Sequence, residues 1–160
     1  INSPYHMQKV AIKVINLDQY EKASRSIQDI GKEIQIMSTC KHKNVLNYYS
    51  SFTTGKELWI ILPLFEAGSI ETLHHIDPVL FKDGCKDEVM IASILKQVVE
   101  GLTTFHEAGL IHRDIKGQNV LMAKDGRVVI GDFGMADSAK VGSKKAFVGS
   151  PAWMAPEVME

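Results

Sequence analysis

The chain has 160 residues, 45% of them apolar, a length that suits one compact domain burying roughly 68–70% of its unfolded surface. Lys and Arg total 18 against 19 Asp and Glu, a net charge of −1 with a pI near 6.7, so neither a nucleic acid nor an anionic membrane surface is expected as a partner. Two cysteines, Cys40 and Cys85, are too few for a disulfide framework and suit a reducing compartment, which makes the cytoplasm the expected location.

The opening Ile1-Asn2-Ser3-Pro4-Tyr5-His6 has neither an initiator Met nor the order of a signal peptide, and reads as a cut end. Val10 to Ile15 reads as a strand with Val10, Ile12 and Val14 on one face and Ala11, Lys13 and Ile15 on the other. From about Ala23 to Ser38, Ile27, Ile30, Ile34 and Met37 recur at helical steps, with Glu33 at the edge of that stripe. Strands are expected at Leu46 to Phe52 and Glu57 to Leu62, joined by a hairpin turn at Thr53-Thr54-Gly55-Lys56. Leu58 to Leu62 is stopped by Pro63, far short of the ~20 residues that span a bilayer, so no membrane insertion is expected.

Ala67-Gly68-Ser69 offers a turn and a helix cap, with a short helical piece at about Ile70 to His75 and a polar loop near Lys82-Asp83-Gly84. A long helix from about Glu88 to Ala108 places Ile91, Leu95, Val98, Leu102 and Phe105 on one stripe and is expected to be largely buried, with Gly109 at its C-terminal cap. Val120 to Met122 and Val128 to Ile130 flank Asp125-Gly126, a two-residue hairpin signal. Beyond Gly131 no periodicity is left, and a loop rich in Gly, Ser and Lys is expected as far as Trp153.

The chemistry-bearing residues follow the long helix. His112-Arg113-Asp114-Ile115-Lys116-Gly117-Gln118-Asn119 precedes the hairpin, and Asp132-Phe133-Gly134 follows it. With Val10-Ala11-Ile12-Lys13 upstream and Ala155-Pro156-Glu157 downstream, four motifs stand in the order found in protein kinases, each in its expected local structure. Over its whole length the chain resembles a eukaryotic protein kinase. Lys32-Glu33-Ile34-Gln35, Glu57-Leu58-Trp59, Gly68-Ser69 and above all Phe147 to Glu160 are most similar to the Sterile-20 (germinal-centre kinase) group of serine/threonine kinases, in particular its oxidative-stress-responsive and proline/alanine-rich branch.

The resemblance implies an α+β, bilobal protein-kinase-like fold, here incomplete. About 1–62 would form an antiparallel-sheet N-lobe without its Gly-rich loop, 63–67 the hinge, and 68–160 the helical C-lobe as far as the activation segment. It implies ATP and Mg²⁺ as cofactors and serine or threonine hydroxyls of proteins as substrates, in stress or osmotic signalling. Lys13 would clamp the α- and β-phosphates with Glu33 as its partner, and Asn119 and Asp132 would hold magnesium, whose hard character suits oxygen ligands. Asp114 would accept the substrate hydroxyl's proton, and Lys116 would neutralise charge on the γ-phosphate. Ala11, Leu62 at the gatekeeper position and the hinge from Leu64 to Ala67 would wall the adenine pocket. His112 is expected to be a structural hydrogen-bonding residue.

Each residue has a plainer reading: a strand lysine solvated at its tip, a solvated helical glutamate, an Asp-initiated turn at Asp132, an exposed loop acid at Asp114. Cys40, His42, Cys85 and the pair His74-His75 lack paired ligand spacing for zinc. Lys41-His42-Lys43 and Lys144-Lys145 read as solvated loops, and no motif supports a catalytic Cys-His pair.

Two departures stand out. No Gly-x-Gly-x-x-Gly occurs, and the arginine expected to pair with Glu157 lies beyond the last residue, so the chain reads as a piece of a kinase, marginally stable and catalytically poor on its own. The second is Ala146, where relatives commonly carry a phosphorylatable threonine with Arg113 as its charge partner. Switching by an upstream activating kinase would then use another hydroxyl, Ser143 being the nearest upstream, or would not occur. Ser150 would position Asp114 and Lys116. The competing function is a catalytically silent scaffold or allosteric activator on a kinase fold.

Overall fold

A computed structural model describes residues 9–22, 26–73, 84–138 and 148–159. Strand β1 (Val10–Asn16) runs into a short helix, α1 (Leu17–Lys22), too brief to leave a periodic signal in the sequence. Helix α2 (Ile27–Thr39) starts where Ser26, in an extended conformation, accepts from the Gln28 N–H while the Asp29 carboxylate accepts from the Ser26 N–H, a reciprocal capping box. The expected start at Ala23 lies outside the described residues. The buried stripe of α2 is Ile30, Glu33, Ile36 and Met37. It is rotated from the expected one: Ile27 is exposed, Ile34 is half-buried, and Glu33 belongs to the stripe rather than its edge.

Strands β2 (Ser50–Thr54) and β3 (Glu57–Pro63) form the expected hairpin around Gly55-Lys56, and β1 adds to β3, giving an antiparallel sheet of order β1-β3-β2. The register sets Ala11 opposite Leu62 and Lys13 opposite the fully buried Ile60. Successive side chains alternate faces, so Ala11, Lys13 and Ile15 turn inward, while Ile12 and Val14 are nearly half exposed. Strand β2 begins four residues later than the sequence pattern predicts. The Leu46 N–H donates to Ile130 O at 2.8 Å and Val45 bridges Ile130 in parallel, so the apolar start of that run fastens a different sheet.

That second sheet contains β4 (Gly68–Ser69), leading into a 3₁₀ turn at Ile70–Thr72 and a helical Leu73, the described part of the helical piece expected as far as His75. His74, His75, Lys82 and Asp83 lie outside the described residues. Helix α3 (Glu88–Glu107) is capped by the Asp87 carboxylate, which accepts from the Val89 and Met90 N–H groups, and is followed by Gly109 at φ 70°. Contrary to expectation, α3 is not largely buried: Val98, Gly101 and Phe105 are, whereas Val89, Leu95 and Val99 are more than half exposed. Its fully buried residues all lie in its C-terminal half, against a second layer.

That layer is a hairpin. After β5 (Leu110–Ile111), strands β6 (Val120–Met122) and β7 (Val128–Ile130) pair antiparallel, and β4 joins on the far side of β6. The turn is not the expected two-residue loop. The Ala123 N–H donates to Arg127 O at 2.9 Å and the Gly126 N–H to Ala123 O at 3.0 Å, with Gly126 at φ 84°, the pattern of a three-residue loop closed by a left-handed residue. The expected loop after Gly131 contains a further strand, β8 (Asp137–Ser138), paired with β5. A 3₁₀ turn at Pro151–Trp153 and the short α4 (Pro156–Met159) close the described chain.

One apolar core joins these pieces, with Ile36 and Met37 of α2, Ile60 of β3, Phe105 of α3, Val128 to Ile130 of β7 and Phe133 beyond it. Asn44, 1% exposed, fastens α3 to the hairpin, since its Nδ2 donates to Val128 O at 2.7 Å and to Gln97 Oε1 at 3.0 Å. Among the described residues no helix is long and apolar enough to cross a membrane.

Candidate active site

Two clusters of polar side chains gather the sequence-predicted residues. In the first, Lys13 from β1 and Glu33 from α2 form an ion pair, Nζ to Oε1 at 2.7 Å. The Glu33 side chain is 11% exposed and that of Lys13 41%, so the carboxylate is fixed in the core while the ammonium keeps one open side. Burying a carboxylate is unfavourable unless a charge meets it, and Lys13 is that charge. Ala11 and Leu62 lie opposite each other beside this pair. Leu64 follows β3, and the Ala67 N–H ties the next turn to Met122 O at 3.1 Å.

The second cluster is built on the loop between β5 and β6. Asp114 is buried and its Oδ2 lies 3.0 Å from Lys116 Nζ, while Asn119 Nδ2 donates to the same oxygen at 3.0 Å and to the Asp114 carbonyl at 2.8 Å. Lys116 also donates to Ser150 Oγ at 2.7 Å. Burial pushes the Asp114 carboxyl up, but the Lys116 ammonium, the Ser150 hydroxyl and the Asn119 amide outweigh it and hold the group below the usual carboxylate range. Asp114 is therefore ionised at neutral pH, with Oδ1 buried and unpartnered among the described residues. An unpartnered acceptor of this kind is costly unless a donor arrives, and a hydroxyl is such a donor.

The same loop is locked to the segment after β7. His112, 1% exposed, bonds Gly131 O through Nε2 at 2.9 Å and accepts from the Asp114 N–H through Nδ1 at 3.3 Å. The neutral ring with its proton on Nε2 satisfies both contacts, and burial holds its pKa below the usual value. The ring packs against Phe105 and Phe133, which stack on each other with centroids 5.4 Å apart. The Gly131 N–H donates to Asn119 O at 2.8 Å, so Asp132 follows directly on a residue bonded to Asn119. Asp132 is exposed, at φ 57°, and its Oδ1 accepts from the Gly134 N–H at 3.4 Å. Arg113, at φ 65°, is the other non-glycine residue in left-handed backbone among those described, a conformation that costs about 1–3 kcal/mol and concentrates at functional sites.

Asn119 and Asp132 carry the oxygen donors that would hold a magnesium ion. Both amide hydrogens of Asn119 are engaged by Asp114, leaving its side-chain oxygen for a cation, and Asp132 offers an exposed carboxylate. Among the described residues no three His, Cys, Asp or Glu side chains gather as a metal site. Two oxygen ligands are the sparse set that suits magnesium, which keeps waters and takes substrate phosphates.

A family profile described as protein kinase domain matches residues 4–160. The chain belongs to the protein kinase family. Among curated proteins this kinase domain is similar to "Germinal center kinase 3" of Caenorhabditis elegans, 44% identical over 96% of the chain and 27% of the relative. It is also 40% identical to "Serine/threonine-protein kinase fray2" of Dictyostelium discoideum, over 96% of the chain and 15% of the relative. "Mitogen-activated protein kinase kinase kinase kinase 3" of Homo sapiens is 36% identical over 92% of the chain and 16% of the relative. The chain thus spans about a quarter or less of the length of these relatives. The resemblance to Sterile-20-group serine/threonine kinases holds at that level, and the fold is a partial bilobal kinase domain with its antiparallel sheet.

Within the kinase domain the predicted residues fall into two groups: Lys13 with Glu33, and Asp114 with Lys116, Asn119 and Ser150. Two contributors are not visible in the sequence. Asp137 pairs with Arg113, and no spacing rule links positions 113 and 137; only the β5–β8 ladder does. Gln97 accepts from the Val128 N–H and donates to Gly126 O, bracing the hairpin from α3. Ala146, Ser143, Lys144 and Lys145 lie outside the described residues.

Proposed function

We propose that this domain transfers the γ-phosphate of ATP to serine and threonine hydroxyls of protein substrates. The observation that carries the reading is Asp114, a buried, ionised carboxylate with one oxygen bonded by Lys116 and Asn119 and the other unpartnered. Phosphoryl transfer asks of a protein mainly positioning and charge neutralisation. Asp114 Oδ1 orients the acceptor hydroxyl and takes its proton as the oxygen attacks, and a carboxylate held below its ordinary pKa is free to accept a hydrogen bond at neutral pH. Lys116, already beside Asp114, meets the charge of the γ-phosphate. Lys13, steadied by Glu33, meets the α- and β-phosphates. Ala11, Leu62 and Leu64 bound the adenine, with the hinge at 63–67 between an N-lobe of about 1–62 and a C-lobe of 68–160. Magnesium, when held by Asn119 and Asp132, supplies neutralisation of phosphate charge.

The oxidative-stress-responsive branch, stress or osmotic signalling, an upstream activating kinase and a cytoplasmic location complete the proposal. The resemblance of Phe147 to Glu160 to that branch motivates the first three, and the low cysteine content, Cys40 and Cys85, motivates the last. The test is γ-phosphate transfer to a generic serine/threonine substrate by the full-length protein, with Asp114→Asn as control. A signal that falls by about 10²-fold or more in the control supports the enzyme; equal background in both gives the scaffold reading the advantage.

A further inference from the structure

Arg113 separates His112 from Asp114, and its left-handed backbone is held at both ends. Its carbonyl lies so close to Gly149 that a Cβ there would come within 2.6 Å of the oxygen, and Gly149 itself sits at φ 119°. Its guanidinium is gripped from the other side, where Nε donates to Met135 O at 2.7 Å and Nη2 lies 3.3 Å from Asp137 Oδ2. Asp137 is fixed in turn: it stands opposite Ile111 in the β5–β8 ladder, and its Oδ1 accepts from the Ser138 N–H at 2.9 Å.

We propose that Asp137 is a positioning residue for phosphoryl transfer, its carboxylate holding Arg113, and through Arg113 the backbone of Asp114, against the segment that follows Asp132-Phe133-Gly134. A planar guanidinium bound by a carbonyl and a carboxylate has a defined direction that a single contact would not give it. The negative charge is part of the chain, so this anchor is in place without any covalent modification. The Arg113 side chain is 25% exposed and that of Asp137 45%, which keeps the effect modest and sensitive to salt.

The inference rests on the kinase reading, and the experiment separates the two. In the full-length protein, Asp137→Asn and Arg113→Lys are compared with wild type and with the double variant. The expected result is a fall in kcat of roughly threefold to tenfold in each single variant, ATP KM within about twofold of wild type, and a double variant no worse than the poorer single one. Amide hydrogen exchange over 110–116 is expected to quicken in Asp137→Asn. Wild-type kcat in Asp137→Asn, single effects that multiply in the double variant, or unchanged exchange would each overturn the role of Asp137. Absence of transfer by the wild-type protein would instead overturn the kinase reading, with the exchange rates still deciding whether Asp137 anchors the loop.

Discussion

Lys13 and Glu33 stand 20 residues apart in the chain and meet at 2.7 Å, the lysine on the inward face of β1 and the glutamate in the buried stripe of α2. The pair ties the orientation of a helix to one strand position. Because Glu33 is the more buried partner, its charge is stable there only while Lys13 is present. Glu33→Gln keeps shape and a hydrogen-bond acceptor but removes that charge. It is expected to lower kcat/KM for ATP by about tenfold, equivalent to ~1.4 kcal/mol, chiefly through KM, as read from initial rates across an ATP titration. Unchanged ATP dependence would remove Lys13 from the nucleotide site.

Ser150 accepts from Lys116, and its hydroxyl is one of the groups that keep the Asp114 carboxyl low. Ser150→Ala deletes both effects. The expected outcome is a kcat reduced roughly threefold to tenfold, with Ser150→Thr close to wild type. The acid limb of the kcat profile should move to higher pH in Ser150→Ala, since removing an interaction that lowers a pKa raises it. A limb that stays in place would show that Asp114 does not govern it.

His112 is held neutral by burial, which outweighs the opposing pull of the Asp132 and Asp114 carboxylates. Its folded pKa is depressed below the ordinary value of about 6.5, so the unfolded chain binds the extra proton first. Stability from this residue is therefore fully present above about pH 6.5 and is lost as the pH falls through the folded value. His112→Gln should cost about 1–3 kcal/mol at pH 7.5 but flatten the decline between pH 7 and 5. Denaturant melts of the full-length protein at several pH values measure both, and parallel declines in the two proteins would exclude His112 as the titrating group.

Gly101 sits in α3 where it crosses the Asn44 turn, and a Cβ placed on it would lie 2.6 Å from Asn44 O. The clash is with backbone, so no side chain can move aside. Gly101→Ala is expected to destabilise by about 1–3 kcal/mol despite the better helix propensity of alanine. Gly31→Ala in α2 meets nothing within 4 Å and serves as the contrasting variant, predicted neutral or slightly stabilising in the same thermal melt.

Motif order makes Asp114, Lys116, Asn119 and Asp132 legible from the amino-acid sequence alone, because they lie close together in the chain and flank a short hairpin. Strand alternation likewise places Ala11 and Lys13 on one face. What the sequence pattern misses is fixed by long-range packing. Glu33 reads as peripheral to a helical stripe, yet Lys13 compensates its burial and so turns α2 toward it. Leu46 has the pattern of a strand, but Ile130 takes its N–H. The α3 stripe suggests a buried helix, whereas the hairpin covers only its C-terminal half. Strand β8 is two residues long and carries no periodicity, so nothing local signals that Asp137 reaches Arg113.

The β6–β7 hairpin carries Asn119 at the foot of one strand and Asp132 just past the foot of the other, with Val120 facing Ile130 between them. A slip of one residue in this ladder would turn every following side chain to the opposite face, breaking the facing of Val120 and Ile130 that brings Asp132 next to Asn119. Partial misregistration has no halfway form. The approach of Asn119 to Asp132 is thereby tied to the register of the hairpin, so a chain that has not settled that register would leave the two side chains unassembled rather than loosely paired.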